Sequence, residues 1–232
     1  MKKFAIIVAG GTGQRMKSAI PKQFLLLQGK PVLFHTMKQF KSADQHTELI
    51  VVLPKNQFDF WASLCLTHPE INSETPHRLV EGGETRFHSS QHGIQAIKTQ
   101  ENCLVAIHDG VRPLVDPILI QQAFHLAEAQ RNAILAVPSK DSIRKWDVEQ
   151  DRFVQIPRDE VQLIQTPQVF LLDDLKKAFH QTYKPTFTDD ASVVESLGIK
   201  INLVPGSYSN LKITSPEDLI IAEQYLSAPK SS

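Results

Sequence analysis

The sequence has no surplus of either charge: 25 Lys and Arg stand against 25 Asp and Glu in 232 residues. That balance predicts no broad electrostatic binding to nucleic acid or to a membrane surface. Cysteine is nearly absent. Cys65 and Cys103 lie far apart and form no C-x-x-C, which argues against a disulfide framework and a thiolate zinc site. No apolar stretch approaches the ~20 residues that span a bilayer. The N-terminal apolar run is too short for a signal-peptide core and is cut by glycines. The expectation is a cytoplasmic protein, with chain enough for a sizeable core. There is no G-x-S-x-G for a nucleophilic serine and no H-E-x-x-H. His88 and His92 have i,i+4 spacing, but no third ligand is evident nearby, and they read as ordinary helix-face residues.

What is present starts at once. Phe4-Ala5-Ile6-Ile7-Val8 is an unbroken apolar run, the pattern of a strand buried on both faces. It leads into Ala9-Gly10-Gly11-Thr12-Gly13. Glycine lets a ligand approach the backbone, and concave arrays of N–H groups bind anions, phosphate above all. Arg15 and Lys22 then add two cations. The dinucleotide fingerprint G-x-G-x-x-G fails because Met16 stands where the third Gly belongs. The P-loop fails because Gln14-Arg15 follow Gly13. The stretch reads as a polyphosphate-holding turn of neither class.

Further strand-like runs follow at Leu49–Leu53, Leu79-Val80, Cys103–Ile107 and Ala133–Val137. Between them lie helical stretches: Lys30-Pro31 to Phe40, Phe58 to Leu66, Thr85 to Ile97, and Ile118 to Ala129. Trp61 falls on an apolar helix side and reads as core. Alternation with a period of about 25–30 residues predicts an α/β fold with a parallel sheet and right-handed crossovers. Ligands of such sheets bind outside the carboxyl ends of the strands. Gly10-Gly11, Gly82-Gly83 and Asp109-Gly110 all occupy such ends, so the three turns are expected to meet on one rim.

The rhythm breaks at Ser139. Residues 140–146 and 152–156 read as a hairpin joined by Asp147–Asp151, carrying Ile143, Trp146, Phe153 and Ile156. So apolar a hairpin is either a dimerisation arm or folded over its own domain. Beyond it, Leu163–Phe170 returns to the body and Leu171–Phe179 is helical. Thr188–Ser192 caps a helix closed by Gly198, and Lys200–Val204 is a late strand. Ser215-Pro216-Glu217-Asp218 opens a last helix to about Leu226, and 228–232 read as a frayed tail.

Asp109, at a strand's carboxyl end beside a phosphate turn, suits Mg²⁺, a hard ion that bridges carboxylate and phosphate; a plain turn cap is the alternative. Arg86 and Ser89, at a helix start after Gly82-Gly83, can read a base edge or simply cap the helix. His108 can orient Asp109 or pack at the strand end. With no nucleophile motif, cations beside phosphate fit phosphoryl transfer by positioning and charge neutralisation.

Together these segments carry a resemblance. The Ala9–Met16 stretch with Pro21-Lys22 resembles the nucleotide-binding signature of sugar-phosphate nucleotidyltransferases. Gly82-Gly83-x-x-Arg86-x-x-Ser89, His108–Pro113, Gln165–Gln168, Thr188–Ser192 and Asn210–Thr214 narrow it to the 2-C-methyl-D-erythritol 4-phosphate cytidylyltransferase family. The resemblance implies a three-layer Rossmann-like nucleotidyltransferase fold, mostly parallel with helices on both faces, in one domain over 1–232. Residues 139–158 would form a projecting dimerisation β-arm. It implies transfer of CMP from CTP to 2-C-methyl-D-erythritol 4-phosphate with release of pyrophosphate, with Mg²⁺, in a homodimer of non-mevalonate isoprenoid synthesis. It assigns Arg15, Lys22 and Lys212 to catalysis, and Ala9, Gly10, Gly11, Gly13, Gly82, Gly83, Arg86, Ser89 and Asp109 to the nucleotide. Asp109 would also support the metal. Arg112, Ser142, Arg158 and Thr188 go to the acceptor. Ser209 departs from the Asp that the family often has there, and Tyr208–Lys212 also resembles the ribitol-5-phosphate cytidylyltransferases, which leaves that acceptor open. A non-catalytic nucleotide-binding regulator is a further reading.

Overall fold

The apolar runs become strands because both of their faces are covered. The computed structural model describes residues 1–11, 18 and 20–227. Strand β1 (Lys2–Val8) leads through a two-strand hairpin, β2 (Leu26–Leu27) and β3 (Lys30–Pro31), into helix α1 (Val32–Ala43). Strand β4 (Glu48–Leu53), helices α2 (Phe58–Thr67) and α3 (Glu70–Glu74), edge strand β5 (His77–Glu81) and helix α4 (Arg86–Gln95) follow. Next come β6 (Cys103–Asp109), α5 (Pro117–Gln130) and β7 (Asn132–Pro138). The hairpin β8 (Ile143–Asp147) and β9 (Arg152–Ile156) precedes β10 (Gln162–Leu171), and α6 (Leu172–Ala178), α7 (Asp190–Glu195), β11 (Leu203–Pro205) and α8 (Pro216–Ser227) close the chain.

Seven strands form one sheet in the order β11-β7-β10-β6-β1-β4-β5. All neighbours are parallel except β10, which runs antiparallel to both β6 and β7. The exception follows from the connection. β10 follows β7 through the hairpin arm and not through a crossover helix, so it returns alongside β7 in the opposite sense. Around Pro167, which has no N–H to donate, the β10–β7 ladder shifts register between Ile164 and Gln168. The sheet is thus mixed and mostly parallel, in three layers.

One face packs Ala5, Ile7, Leu49, Val51 and Leu104 against α1, α2, α3 and α5. The other packs Phe4, Ile6, Ile50, Val52 and Val105 against α4, α6 and α7. A small third cluster of Leu27, Val32, Val111, Ile213 and Ala222 seats the segment before α8 against the rim. Trp61 is core, as expected, and stacks on Phe24 at 5.7 Å between centroids.

Two expectations need correction, and one open alternative is resolved. The first helix starts at Val32, because Lys30-Pro31 pairs with Leu26-Leu27 across a tight turn with Gln28 and Gly29 at φ 48° and 76°. The late strand spans Leu203–Pro205 and not Lys200–Val204: the Asn132 side chain donates to Lys200 O (2.9 Å) and accepts from Asn202 N (2.8 Å), taking the backbone groups a ladder would use. The hairpin does not fold back over the body. Its Trp146 and Phe153 rings meet edge-on at 4.9 Å yet remain 45% and 60% exposed. The tail at 228–232 lies outside the described residues.

Candidate active site

The three glycine-bearing turns do meet on one rim. At the end of β1, Ala9 N donates to Val52 O (2.9 Å) and Gly10 and Gly11 face an open cavity of about 220 Å³. Gly110 N donates to Val8 O (2.8 Å), drawing the end of β6 against that of β1. A Cβ at Gly110 would stand 2.7 Å from Ala9 Cβ, so this junction admits only glycine. At the end of β4, Leu53 O accepts from Gly82 N (2.8 Å), and Gly83 N donates to the hydroxyl of buried Ser89 (3.2 Å). A side chain at Gly83 would collide with His88 Cβ. Ser89 therefore shapes the glycine turn, and it also lines the cavity.

Lys22 reaches the same cavity from a short helical turn, Lys22–Phe24. That turn is held twice. Phe24 is buried against Trp61, and Gln23 Nε2 donates to Ala9 O and to Gln57 Oε1, each at 2.7 Å. A Cβ at Gly11 would stand 3.2 Å from Lys22 Cε, so the lysine stem lies along the glycine turn. Gly13 and Arg15 lie outside the described residues.

Asp109 is the centre of charge. Its Oδ1 accepts from Arg86 Nε (3.4 Å), and its Oδ2 meets Arg112 Nε (3.2 Å) and Lys212 Nζ (3.1 Å). Burial alone would raise its pKa, but Arg86, Lys212 and Arg112 together hold it well below the usual carboxylate range. It is ionised at neutral pH. Arg86 also donates to buried Asp190 (2.6 Å), which takes a second bond from Ser90 Oγ (2.8 Å). Burial would lower the Arg86 pKa, and its two carboxylate partners raise it instead. His108 packs edge-on to Phe40 at 5.1 Å and donates Nε2–H to Arg112 O (3.2 Å). Burial pushes its pKa down to about 3, partly offset by Asp109. A neutral histidine with that tautomer orients the Asp109–Arg112 turn.

A second hollow of about 310 Å³ opens on the other side of Asp109. Arg86, Asp109 and Lys212 line both hollows, while Arg112 and Thr188 line only the second. Gln165, Thr166, Gln168 and Asp189 supply the polar part of its remaining wall, and Ile164 an apolar part. Gln168 donates to Asp189 Oδ2 and accepts from Ala191 N, both at 2.8 Å. Asp189, not Thr188, caps α7. The chemical roles of these four polar residues escape a sequence reading. Gln165, Thr166 and Gln168 are signalled by polar side chains interrupting the apolar strand β10, whereas Asp189 caps α7 within the Thr188–Ser192 segment that carries the resemblance. Ser142 and Arg158 are not brought to either hollow; both are exposed on the arm and its base. Ser209 bonds Ser207 across their hydroxyls (2.7 Å) and shapes its loop.

A mostly parallel sheet covered on both faces, with glycine turns, a carboxylate and a group of cations on its carboxyl-end rim, defines an α/β protein of the nucleotidyltransferase class. Comparison with known proteins makes this particular. The model of the family IspD, 2-C-methyl-D-erythritol 4-phosphate cytidylyltransferase, matches residues 4–228. A protein of that name from Azobacteroides pseudotrichonymphae is 48% identical over 96% of this chain and 97% of its own length. One from Bacteroides thetaiotaomicron is 44% identical over 97% of this chain and 100% of its own. The crystal structure of 4-diphosphocytidyl-2C-methyl-D-erythritol synthase from Anaerococcus prevotii superposes with a TM-score of 0.81 at 31% identity, covering 98% and 97% of the two chains. The chain belongs to the 2-C-methyl-D-erythritol 4-phosphate cytidylyltransferase family.

Proposed function

We propose that this chain transfers CMP from CTP to 2-C-methyl-D-erythritol 4-phosphate, giving 4-diphosphocytidyl-2-C-methyl-D-erythritol and pyrophosphate. The observation that carries this reading is the pair of hollows sharing Arg86, Asp109 and Lys212. One hollow has the bare backbone and lysine that suit a triphosphate. The other has the amides, hydroxyls and arginine that suit a polyol phosphate.

An acceptor phosphate is ionised near neutral pH and needs no general base. Its oxygen attacks the α-phosphorus in line, the new P–O bond forms, the bond to the β-phosphate bridge breaks, and pyrophosphate leaves with the electron pair. Lys22 and Lys212, with Arg15, stabilise the crowded negative charge. The Gly10, Gly11 and Gly83 turns, with Gly82, Gly13 and Ala9, seat the nucleotide, and Ser89 holds the Gly82-Gly83 turn in shape for the base. Arg86 braces that wall through Asp109 and Asp190. Arg112 and Thr188 hold the acceptor.

Asp109 would hold a magnesium ion by giving up part of its pairing with Arg86, Arg112 and Lys212, with substrate phosphates and water supplying the other ligands. Among the described residues no three His, Cys, Asp or Glu side chains cluster as a protein-only cage. Asp109 is the ionised carboxylate that faces both hollows. Mg²⁺ keeps several waters and takes one or two carboxylates plus substrate phosphates. Bound there, it would neutralise charge on the triphosphate.

The active form in this reading is a homodimer. Trp146 and Phe153 offer an apolar arm face for a second copy, and Ser142 and Arg158 then complete the neighbour's acceptor hollow. Among the described residues no helix is long and apolar enough to cross a membrane, and both cysteines are free thiols; a cytoplasmic location fits both. Pyrophosphate release from CTP and Mg²⁺ with each acceptor in turn tests the proposal. Turnover with methylerythritol phosphate and not ribitol 5-phosphate is expected. Turnover with ribitol 5-phosphate alone would overturn the acceptor, and no release with either would leave only a nucleotide binder.

A further inference from the structure

The root of the arm carries a contact that the transfer chemistry does not use. Tyr208 donates its hydroxyl to Pro138 O (2.7 Å), the last residue of β7 before the arm. Lys140 Nζ lies 3.5 Å from the centroid of the same ring. The backbone carbonyl of Lys140 in turn accepts from Arg158 (3.5 Å) on the other leg of the arm. Tyr208 thus grips both the strand end and the first residues of the arm.

Tyr208 itself belongs to a stiff loop. Ser207 O accepts from Gln165 Nε2 (2.8 Å) and from Asn210 N (3.0 Å). Asn210 Nδ2 donates to Thr166 O (2.9 Å), and Arg112 Nη1 donates to Asn210 O (2.7 Å). Four residues beyond Tyr208, the same loop delivers Lys212 to Asp109. The tyrosine is 42% exposed and joins none of the three apolar clusters, so filling the core does not account for it.

We infer that Tyr208 is a positioning residue that latches the β8–β9 arm to the loop bearing Lys212. It holds Ser142 and Arg158 on the arm in a set orientation relative to the Lys212 loop. In a dimer, the latch ties one copy's catalytic loop to the arm that serves the neighbour's acceptor hollow. The inference rests on the reading of the arm as an acceptor-binding element.

The test compares Tyr208→Ala, Tyr208→Phe and Arg158→Ala in the full-length enzyme. Loss of one hydrogen bond and one cation–π contact predicts a rise of roughly tenfold in the acceptor KM of Tyr208→Ala. The CTP KM should stay within about twofold, since the nucleotide hollow is untouched. Tyr208→Phe keeps the ring under Lys140 but loses the hydroxyl bond to Pro138 O, and should recover only part of the loss. Tryptic cleavage of the arm at Arg144, Lys145 and Arg152 should speed up several-fold in Tyr208→Ala. If Arg158→Ala raises the acceptor KM while Tyr208→Ala changes neither that KM nor the cleavage rate, the latch is wrong. If Arg158→Ala leaves the acceptor KM unchanged, the arm reading falls, and the latch proposal with it.

Discussion

Lys212 stands where the two hollows join, its ammonium 3.1 Å from Asp109 Oδ2 and its side chain 41% exposed. In the proposed reaction it faces two phosphates that must approach each other. Replacing it by Ala removes a full charge at that junction. Two unit charges about 4 Å apart interact by ~4 kcal/mol at an effective dielectric of ~20, and partial exposure trims this to ~3 kcal/mol. That is a loss of roughly 10²-fold in kcat, the scale of deleting one transition-state donor. Folding should hardly notice. A half-exposed ion pair contributes at most ~1 kcal/mol, and Asp109 keeps Arg86 and Arg112. A fall in Tm of no more than ~4 °C follows for a chain of this size. Single-turnover pyrophosphate release gives the rate, and scanning calorimetry gives the Tm. Lys212→Arg, which retains the charge, should recover part of the rate. A kcat within threefold of the parent, or a loss of rate matched by a loss of fold, would remove Lys212 from the transition state.

Other outcomes follow from the same geometry. Because the unfolded chain protonates His108 near pH 6.5 and the folded chain only near pH 3, stability is flat above pH 7 and declines on acidification through that window. His108 alone should cost about 2 kcal/mol by pH 5, with His35 and His77, also lowered by burial, acting in the same direction. Urea titrations at pH 7 and pH 5 measure this, and an identical pH dependence in His108→Gln would contradict it. Gly83→Ala must displace the first turn of α4 from His88; a loss of ~1–3 kcal/mol and a raised CTP KM are expected, and an unchanged Tm would show that the turn yields freely. If the arm forms the proposed dimer, Trp146→Asp together with Phe153→Asp should yield a monomer by sedimentation where the parent sediments as a dimer, with unchanged circular dichroism and poor acceptor turnover. An intact dimer would remove the arm from the interface.

The fold was legible where physics is local. Runs such as Ile6-Ile7-Val8 and Leu104-Val105-Ala106 are apolar on successive residues because helices cover both faces of the sheet, and that pattern alone identifies central strands. The convergence of Gly10, Gly83 and Asp109 was legible too, since parallel strands put their carboxyl ends on one rim. What escaped depended on distant partners or very short elements. The β2–β3 hairpin has two residues a side, and its turn uses Gln28 at positive φ. The late strand moved because Asn132, about seventy positions upstream, takes its backbone bonds. Asp190 binds Arg86 across a separation of 104 residues, which no periodicity reports. Ser142 and Arg158 stand apart from both hollows within one chain, and only family resemblance marked them.

In the proposed reaction the two hollows hold a cytidine triphosphate and a branched four-carbon polyol phosphate for direct transfer. Steady-state pyrophosphate release with CTP, Mg²⁺ and saturating acceptor measures this transfer. Turnover with 2-C-methyl-D-erythritol 4-phosphate is expected, with stoichiometric cytidylylated product and no comparable rate with ribitol 5-phosphate. Equal or greater turnover with ribitol 5-phosphate would contradict it.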